Sequence, residues 1–176
     1  MEATVRPAVE ADLPAILGIY NHAIEHTTAV FSYKPHTLAM RREWFEAKRA
    51  ANHPVFVAQS DGGVVGFATF GPFRPWPAYK YTVENSVYVA EHARRSGIAR
   101  SLMDRLLLDA RDKQCHAVIA GIVSDNTASI RHHQSLGFVA VAHFLEVGYK
   151  FGRWRDLKFF EILLTGPEHP DETQTS

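Results

Sequence analysis

The chain has 176 residues, 46% of them hydrophobic, and its 19 basic residues balance 19 acidic ones. That size fits one domain with a sizeable core, and the zero formal charge supplies no global basic field for nucleic acid or an anionic membrane surface. No apolar run approaches the roughly 20 residues of a membrane span, Met1–Thr4 lacks the basic and apolar regions of a secretory leader, and Cys115 is the lone cysteine, so a soluble cytoplasmic protein without an internal disulfide is expected.

Ala3–Arg6 reads as a short strand, and Arg6-Pro7-Ala8 leads into a helix over about Glu10–Glu25 with Leu13, Ile16, Leu17, Tyr20 and Ile24 on its buried stripe. Pro14 is compatible with the first turn of that helix. His26–His36 is a loop carrying Phe31, Ser32 and Tyr33, whose aromatic rings either pack beneath a lid or touch a substrate. Thr37 caps a second helix, about Leu38–Ala51, with Met40, Trp44 and Phe45 on its stripe. Val55–Gln59 and Val64–Phe70 form a hairpin through Ser60-Asp61-Gly62-Gly63. Pro72, Pro75 and Pro77 then stop the second of these strands and stiffen a loop.

The stretch from Thr82 to Leu108 organises the rest. Thr82–Val89 is a strand with Val83, Asn85, Val87 and Val89 on one face and Thr82, Glu84, Ser86 and Tyr88 on the other. From Ile98 the period becomes helical, with Ala99, Leu102, Met103, Leu106, Leu107 and Ala110 on one stripe. Between them lies a basic turn with Arg94, Arg95 and Gly97. A helix start has unpaired amides and a partial positive charge, so such a turn suits a phosphate or diphosphate. Neither a Walker lysine pattern nor a complete dinucleotide fingerprint occurs there. His116–Val123 is a further apolar strand, Ser124-Asp125-Asn126 starts a short helix ended by Gly137, and Phe138–Glu146 and Trp154–Leu164 are the last strands, joined by a turn over Gly148–Arg153. Gly166–Ser176 is polar and is expected to be a disordered tail, leaving residues 1–165 as one domain.

The turn Arg94-x-x-Gly97-x-Ala99 after a strand resembles the acyl-CoA signature of the GNAT N-acetyltransferase superfamily. Asn126-Thr127-Ala128-Ser129, with His133 and Leu136-Gly137-Phe138, is similar to that family's second motif. Thr82-Val83-Glu84, the segment Gly71–Tyr79 and Lys150-Phe151-Gly152-Arg153-Trp154 resemble its phosphinothricin N-acetyltransferase branch, so the likeness spans roughly Val5 to Leu164. It implies an α+β GNAT fold: a mixed, mostly antiparallel sheet flanked by helices and splayed at its central strand to admit acetyl-CoA. CoA contacts are implied for Val87, Tyr88 and Val89, for Arg94, Arg95, Ser96, Gly97, Ile98, Ala99 and Arg100, and for Asn126 and Ser129. The acceptor, a small amino-acid-like amine, is implied to lie among Phe31, Arg74, Pro75, Trp76, Tyr79, Glu84, Asn85 and Ser86. One departure stands out, because Arg95-Ser96 occupies positions where many relatives have Gly-Arg.

Acetyl transfer to an amine needs a base, because an α-ammonium has a pKa above neutrality. The resemblance assigns that task to Glu84, against the alternative of a surface ion pair with Lys80. Arg74 is either a solvated side chain or a fork for a substrate carboxylate. Asn126 suits a helix cap and a CoA contact alike. His133 takes the place where many relatives have a tyrosine acid, and an imidazole can move a proton near neutrality. Its neighbour His132 lies about 100° away on the helix, so only one of the two points inward. Cys115 is read as structural. No metal is expected, and a homodimer paired through the C-terminal half is implied by the family. Two rivals remain open at this point: acetylation of a protein N-terminus or lysine, and a CoA-binding module without catalysis.

Overall fold

The computed structural model describes residues 2–172. Seven strands, β1 (Thr4–Pro7), β2 (Val55–Ser60), β3 (Gly63–Pro72), β4 (Thr82–Val89), β5 (Ala117–Val123), β6 (Val139–Lys150) and β7 (Arg153–Leu163), form one open sheet in the order β1-β2-β3-β4-β5-β7-β6. Four helices accompany them: α1 (Leu13–His26), α2 (Leu38–Ala50), α3 (Ile98–Asp112) and α4 (Thr127–Ser135). This is the mixed, mostly antiparallel α+β arrangement expected from the sequence. None of the described helices is long and apolar enough to cross a membrane.

The decisive feature lies at the centre. All neighbouring strands are antiparallel except β4 and β5, which run parallel and pair only from Thr82–Ala117 to Glu84–Ile119. Beyond Glu84 the two part. β4 stays bonded to β3 as far as Val89 opposite Gly66, and β5 stays bonded to β7 as far as Val123 opposite Leu157. The sheet is thus two intact halves joined at a short seam.

Alternation along β4 divides its side chains as predicted. Val83 joins the core beneath α3, where Leu102, Met103, Leu106 and Leu107 pack on Phe56, Phe70, Val118 and Phe160, and Val87 and Val89 pack against the same cluster. On the other face Tyr88 stacks on Phe67 at 5.0 Å and meets Tyr20 of α1 edge-on at 5.5 Å. There Leu13 and Ile16 of α1 and Phe45 of α2 pack over Val55, Val57 and Phe67.

Several boundaries differ from the sequence reading for local reasons. Glu10–Asp12 form a 3-10 turn before α1, fixed by Asp12, whose carboxylate accepts from Arg6 at 2.7 and 2.8 Å and from the Val9 amide at 2.8 Å. Thr37 caps α2 as expected, accepting from the Met40 amide at 3.2 Å. The buried stripe of α2, however, contains Arg41 and Phe45, while Met40 is exposed, because aromatic rings cover the Arg41 guanidinium. β6 runs on to Lys150, four residues beyond the predicted Glu146. A bulge between Phe144 and Gly148, with Glu146 at φ 53°, interrupts its alternation and hid the continuation. The turn is only Phe151-Gly152, both at positive φ (51° and 74°), the geometry that matches hairpin twist. Of the predicted tail, residues 173–176 lie outside the described residues; Asp171 pairs with Lys80, and its amide donates to the Tyr81 hydroxyl at 3.2 Å.

Gly66 is the tightest point of the α3 face. A Cβ there would lie 2.9 Å from the Tyr88 carbonyl and 3.2 Å from Leu102 Cδ1. Gly66→Ala should lower stability by about 1–3 kcal/mol, the usual cost of overpacking, read as a lower urea midpoint with an unchanged m-value.

Candidate active site

Where β4 and β5 diverge, a cleft of about 1320 Å³ opens. Val87, Tyr88 and Val89 line it on the β4 side, Asn126 and Ser129 of the α4 start line the opposite bank, and α1 with the loop after it forms a third wall. At its mouth a 3-10 turn, Glu91–Ala93, leads through Arg94, Arg95 and Ser96 to Gly97 and α3. Arg95 (φ 63°) and Gly97 (φ 81°) both adopt left-handed backbone, which Gly97 tolerates without strain. The Ser96 hydroxyl clamps the turn by donating to the Ala93 carbonyl at 2.5 Å. No side chain caps α3, and the Ser101 amide makes its first bond, to the Gly97 carbonyl at 3.1 Å. The amides of Ile98, Ala99 and Arg100 are therefore the free donors of a helix start.

These donors suit a diphosphate: three helix-start amides and the side chains of Arg94 and Arg95 all border the cleft. The site contributions are of different kinds. Ile98 buries its side chain in the α3 core and has only its amide to offer. The Arg100 guanidinium is engaged by Asp104 at 2.9 and 3.0 Å and by the Ser135 carbonyl at 3.2 Å, so it braces α3 against α4. Asn126 performs the predicted cap, its Oδ1 accepting from the Ser129 amide at 3.1 Å.

Glu84 stands at the last paired position before the strands part. Its carboxylate lies over Gly121 of β5, where an added Cβ would sit 3.1 Å from Oε1 and 3.4 Å from Phe159. Burial pushes its pKa above the ordinary carboxylate value, partly offset by the nearby Arg74 charge. Arg74 is its electrostatic neighbour; Lys80, the alternative ion-pair partner, is engaged by Asp171 instead. The Arg74 guanidinium rests on the Phe73 ring at 4.1 Å, and Phe73 meets Tyr79 and Phe159 edge-on.

The other predicted acceptor contacts are dispersed. Trp76 and Pro75 are exposed, Trp76 leaning on Tyr79 at 6.4 Å. Phe31 packs on Gly148 of β6, where any Cβ would fall within 2.5 Å of its ring, and the Tyr33 hydroxyl donates to the Tyr149 carbonyl at 2.8 Å. Ser86 shares the Glu84 face but borders a separate, smaller cavity with Tyr88.

Two predicted site residues, Asn85 and His133, do not line the cleft. Asn85 does not face the acceptor: alternation sends it to the α3 side, where it is buried and its Nδ2 meets His133 Nε2 at 3.1 Å and Met103 sulfur at 3.6 Å. His133 lies in the same buried cluster and does not line the cleft. It is 3% exposed, its Nδ1 donates to the Ser129 carbonyl at 2.9 Å, its Nε2 takes the Asn85 amide, and Phe138 lies edge-on at 5.1 Å. Burial lowers its pKa to about 4. It is His132 that lines the cleft, with a buried Nε2 that has no partner among the described residues. The sequence signal for Gly121 was present but unread, since a lone glycine inside an apolar strand marks close approach of another group.

An amide-rich turn beside two arginines, an open strand edge and a half-buried carboxylate at the seam suit a diphosphate-bearing cosubstrate, and comparison with known proteins identifies the class as an acetyltransferase. The Acetyltransferase (GNAT) family model matches residues 17–138, and the chain belongs to that family. It is 44% identical over 168 residues to the L-methionine sulfoximine/L-methionine sulfone acetyltransferase of Salmonella typhimurium, covering 96% of this chain and 98% of that protein. It is 35% identical over 170 residues to the phosphinothricin N-acetyltransferase of Streptomyces viridochromogenes, covering 94% and 91%. A Salmonella typhimurium acetyltransferase solved with its cofactor acetyl-CoA superposes with a TM-score of 0.92 at 43% identity, covering 96% of this chain and 98% of that one. Acetyl-CoA is accordingly the cosubstrate.

His133 yields a stability prediction. Between about pH 6.5 and 4 the unfolded chain binds a proton at this residue that the folded chain excludes, so acidification through that window destabilises the fold. In urea titrations at pH 7, 6 and 5, His133→Gln should show a shallower loss of stability than the parent.

Proposed function

We propose that this enzyme acetylates the α-amine of a small amino-acid-like acceptor by direct attack within a ternary complex, using one acetyltransferase domain over residues 1–165. The observation that carries this reading is the position of Glu84: a half-buried carboxylate with raised pKa, next to Arg74, where β4 and β5 part. Relatives named for methionine sulfoximine, methionine sulfone and phosphinothricin support the acceptor class, because all three are amino-acid-like amines.

Bound acetyl-CoA supplies the activated acetyl group as a thioester. Arg94, Arg95 and the amides of Ile98–Arg100 hold its diphosphate, and Asn126 and Ser129 border its path. Glu84 removes a proton from the acceptor ammonium, directly or through a water, and burial raises its basicity toward that task. Arg74 pairs with the acceptor carboxylate and keeps the Glu84 carboxyl ionised. Amides of Val87–Val89 not bonded to β3 offer donors to negative charge developing on the acyl oxygen. Holding amine and acyl group side by side removes much of the entropic barrier. His133 stands outside this proton path; with Asn85 it positions the floor of β4, and the thiol regains its proton from water. Phe31 and Tyr33 are fastened to β6, and the family resemblance implies that their loop lies over the acceptor, which favours a small molecule over a polypeptide.

A homodimer forms part of the same reading. β6 is an edge strand with unpaired backbone groups, and Val139, Val141, Phe144, Leu145 and Val147 along it are all exposed, Leu145 at 70%. Such an apolar edge calls for a covering partner. Light scattering should give twice the 19.8 kDa chain mass, and a mass of one chain at micromolar concentration would rule the dimer out.

A thiol-release assay with acetyl-CoA and a panel of free amino acids, methionine sulfone and phosphinothricin tests the activity. Glu84→Gln should lower kcat by about 10² or more with nearly unchanged CoA affinity. Arg74→Met should move the acidic limb of the kcat/KM profile to higher pH, because the lost positive charge had lowered the Glu84 pKa. Full turnover of Glu84→Gln between pH 6 and 8 would remove Glu84 as the base.

A further inference from the structure

On the α1–α2 side of the sheet lies a second cavity, of about 330 Å³, walled by Tyr20, Arg41, Trp44, Lys48, Phe67 and Tyr88. Arg41 is 2% exposed. Its guanidinium carbon lies 4.1 Å from the Tyr20 ring centre and 4.5 Å from that of Trp44, so both ring systems contribute cation–π contact. Its Nη2 approaches His36 Nδ1 at 3.2 Å, and its Nε is buried with no partner among the described residues. No carboxylate pairs with Arg41 among the described residues. A buried guanidinium without a counter-ion is costly.

Lys48 supplies a second cation to the same space. Its ammonium donates to the Phe70 carbonyl at 2.7 Å, which engages one of its three protons. The acidic group bordering the cavity, Glu43, is an exposed side chain. Two cations therefore face a cavity whose acid is solvated, and aromatic rings share the remaining wall with Met40, Thr69 and Ser86. With rings stacked on the guanidinium, its edge is the direction from which an acceptor reaches Nε, and an in-plane edge is what a planar carboxylate matches. Glu43 at the border disfavours a ligand with two negative charges.

We propose that this cavity is a binding site for a small monocarboxylate with an apolar tail, its carboxylate on Arg41 and Lys48 and its tail along Trp44 and Phe67. Ser86 and Tyr88 border the cavity from the same face of β4 that carries Glu84, and Tyr88 also lines the main cleft, so an occupant would sit next to that cleft. The site does not depend on which amine is acetylated.

Calorimetry of the full chain with sodium benzoate, sodium sulfate and benzyl alcohol at constant ionic strength tests the proposal, together with crystals soaked in 4-bromobenzoate. Benzoate should bind with a Kd of roughly millimolar order, sulfate and benzyl alcohol at least about tenfold more weakly, and the bromine signal should lie in the cavity. Lys48→Met and Arg41→Met should each weaken benzoate about tenfold or more. Lys48 is only half-buried and keeps the test decisive if Arg41→Met fails to fold. No benzoate binding at about 20 mM, equal binding of sulfate, undiminished binding by Lys48→Met, or bromine only beside Arg74 and Glu84 would each overturn the assignment.

Discussion

The enzyme depends on an interrupted seam. Three residue pairs join β4 to β5, and then the strands separate while each remains fully bonded to its outer neighbour. A sheet broken in this way would normally leave costly unpaired backbone. Here the open edge borders a solvated cleft, and its free amides and carbonyls become ligand groups. Two hydrophobic layers make the opening affordable: α3 clamps both halves from one side, touching Phe56 and Phe70 as well as Val118 and Phe160, while α1 and α2 cover β2, β3 and Tyr88 on the other. The gap persists because packing elsewhere over-determines it.

Placement of polar groups follows from the same division. Along β4 consecutive residues serve opposite layers, so Glu84 lies over Gly121 at the seam and Asn85, one residue on, is sealed beneath α3. The Asn85–His133–Ser129 chain then ties β4 to α4 across the base of the cleft, with the imidazole neutral and both of its nitrogens engaged. Asn85 Oδ1 has no partner among the described residues, so this buried chain carries a desolvation cost while it fixes one arrangement of the elements it joins. Gly121 completes the geometry by leaving room for the Glu84 carboxylate above β5.

Much of this was legible in the sequence. Alternation in Thr82–Val89, the period change at Ile98, the Asp61-Gly62 turn and the Thr37 and Asn126 caps are local signals, and local physics decides them. The amide turn was also readable, because a strand-turn-helix pattern shows where a helix start leaves its amides free, whereas Glu84 was singled out only by the Thr-Val-Glu context of the family resemblance. The burial of His133 was not legible, because helical spacing says which residues share a face but not whether that face meets a cleft or a core. Arg41 escaped notice because a charged residue at a stripe position reads as solvated, and only the tertiary arrangement of Tyr20 and Trp44 around it shows otherwise. The length of β6 was missed because a bulge breaks the very period by which strands are recognised.

Lys150 is the last residue of β6 and is 3% exposed. Its ammonium donates to the carbonyls of Ile24 at 2.5 Å, Thr27 at 2.9 Å and Val30 at 2.6 Å, where α1 ends and its following loop begins. That loop walls the cofactor cleft through Thr27, Thr28 and Ala29 and, a few residues later, leans on β6 through Phe31 and Tyr33. A single rivet thus fixes the loop after α1 to the final hairpin. Three carbonyls on one buried ammonium tie this part of the cleft wall to the last hairpin, so a change at the end of β6 reaches the cleft through Lys150.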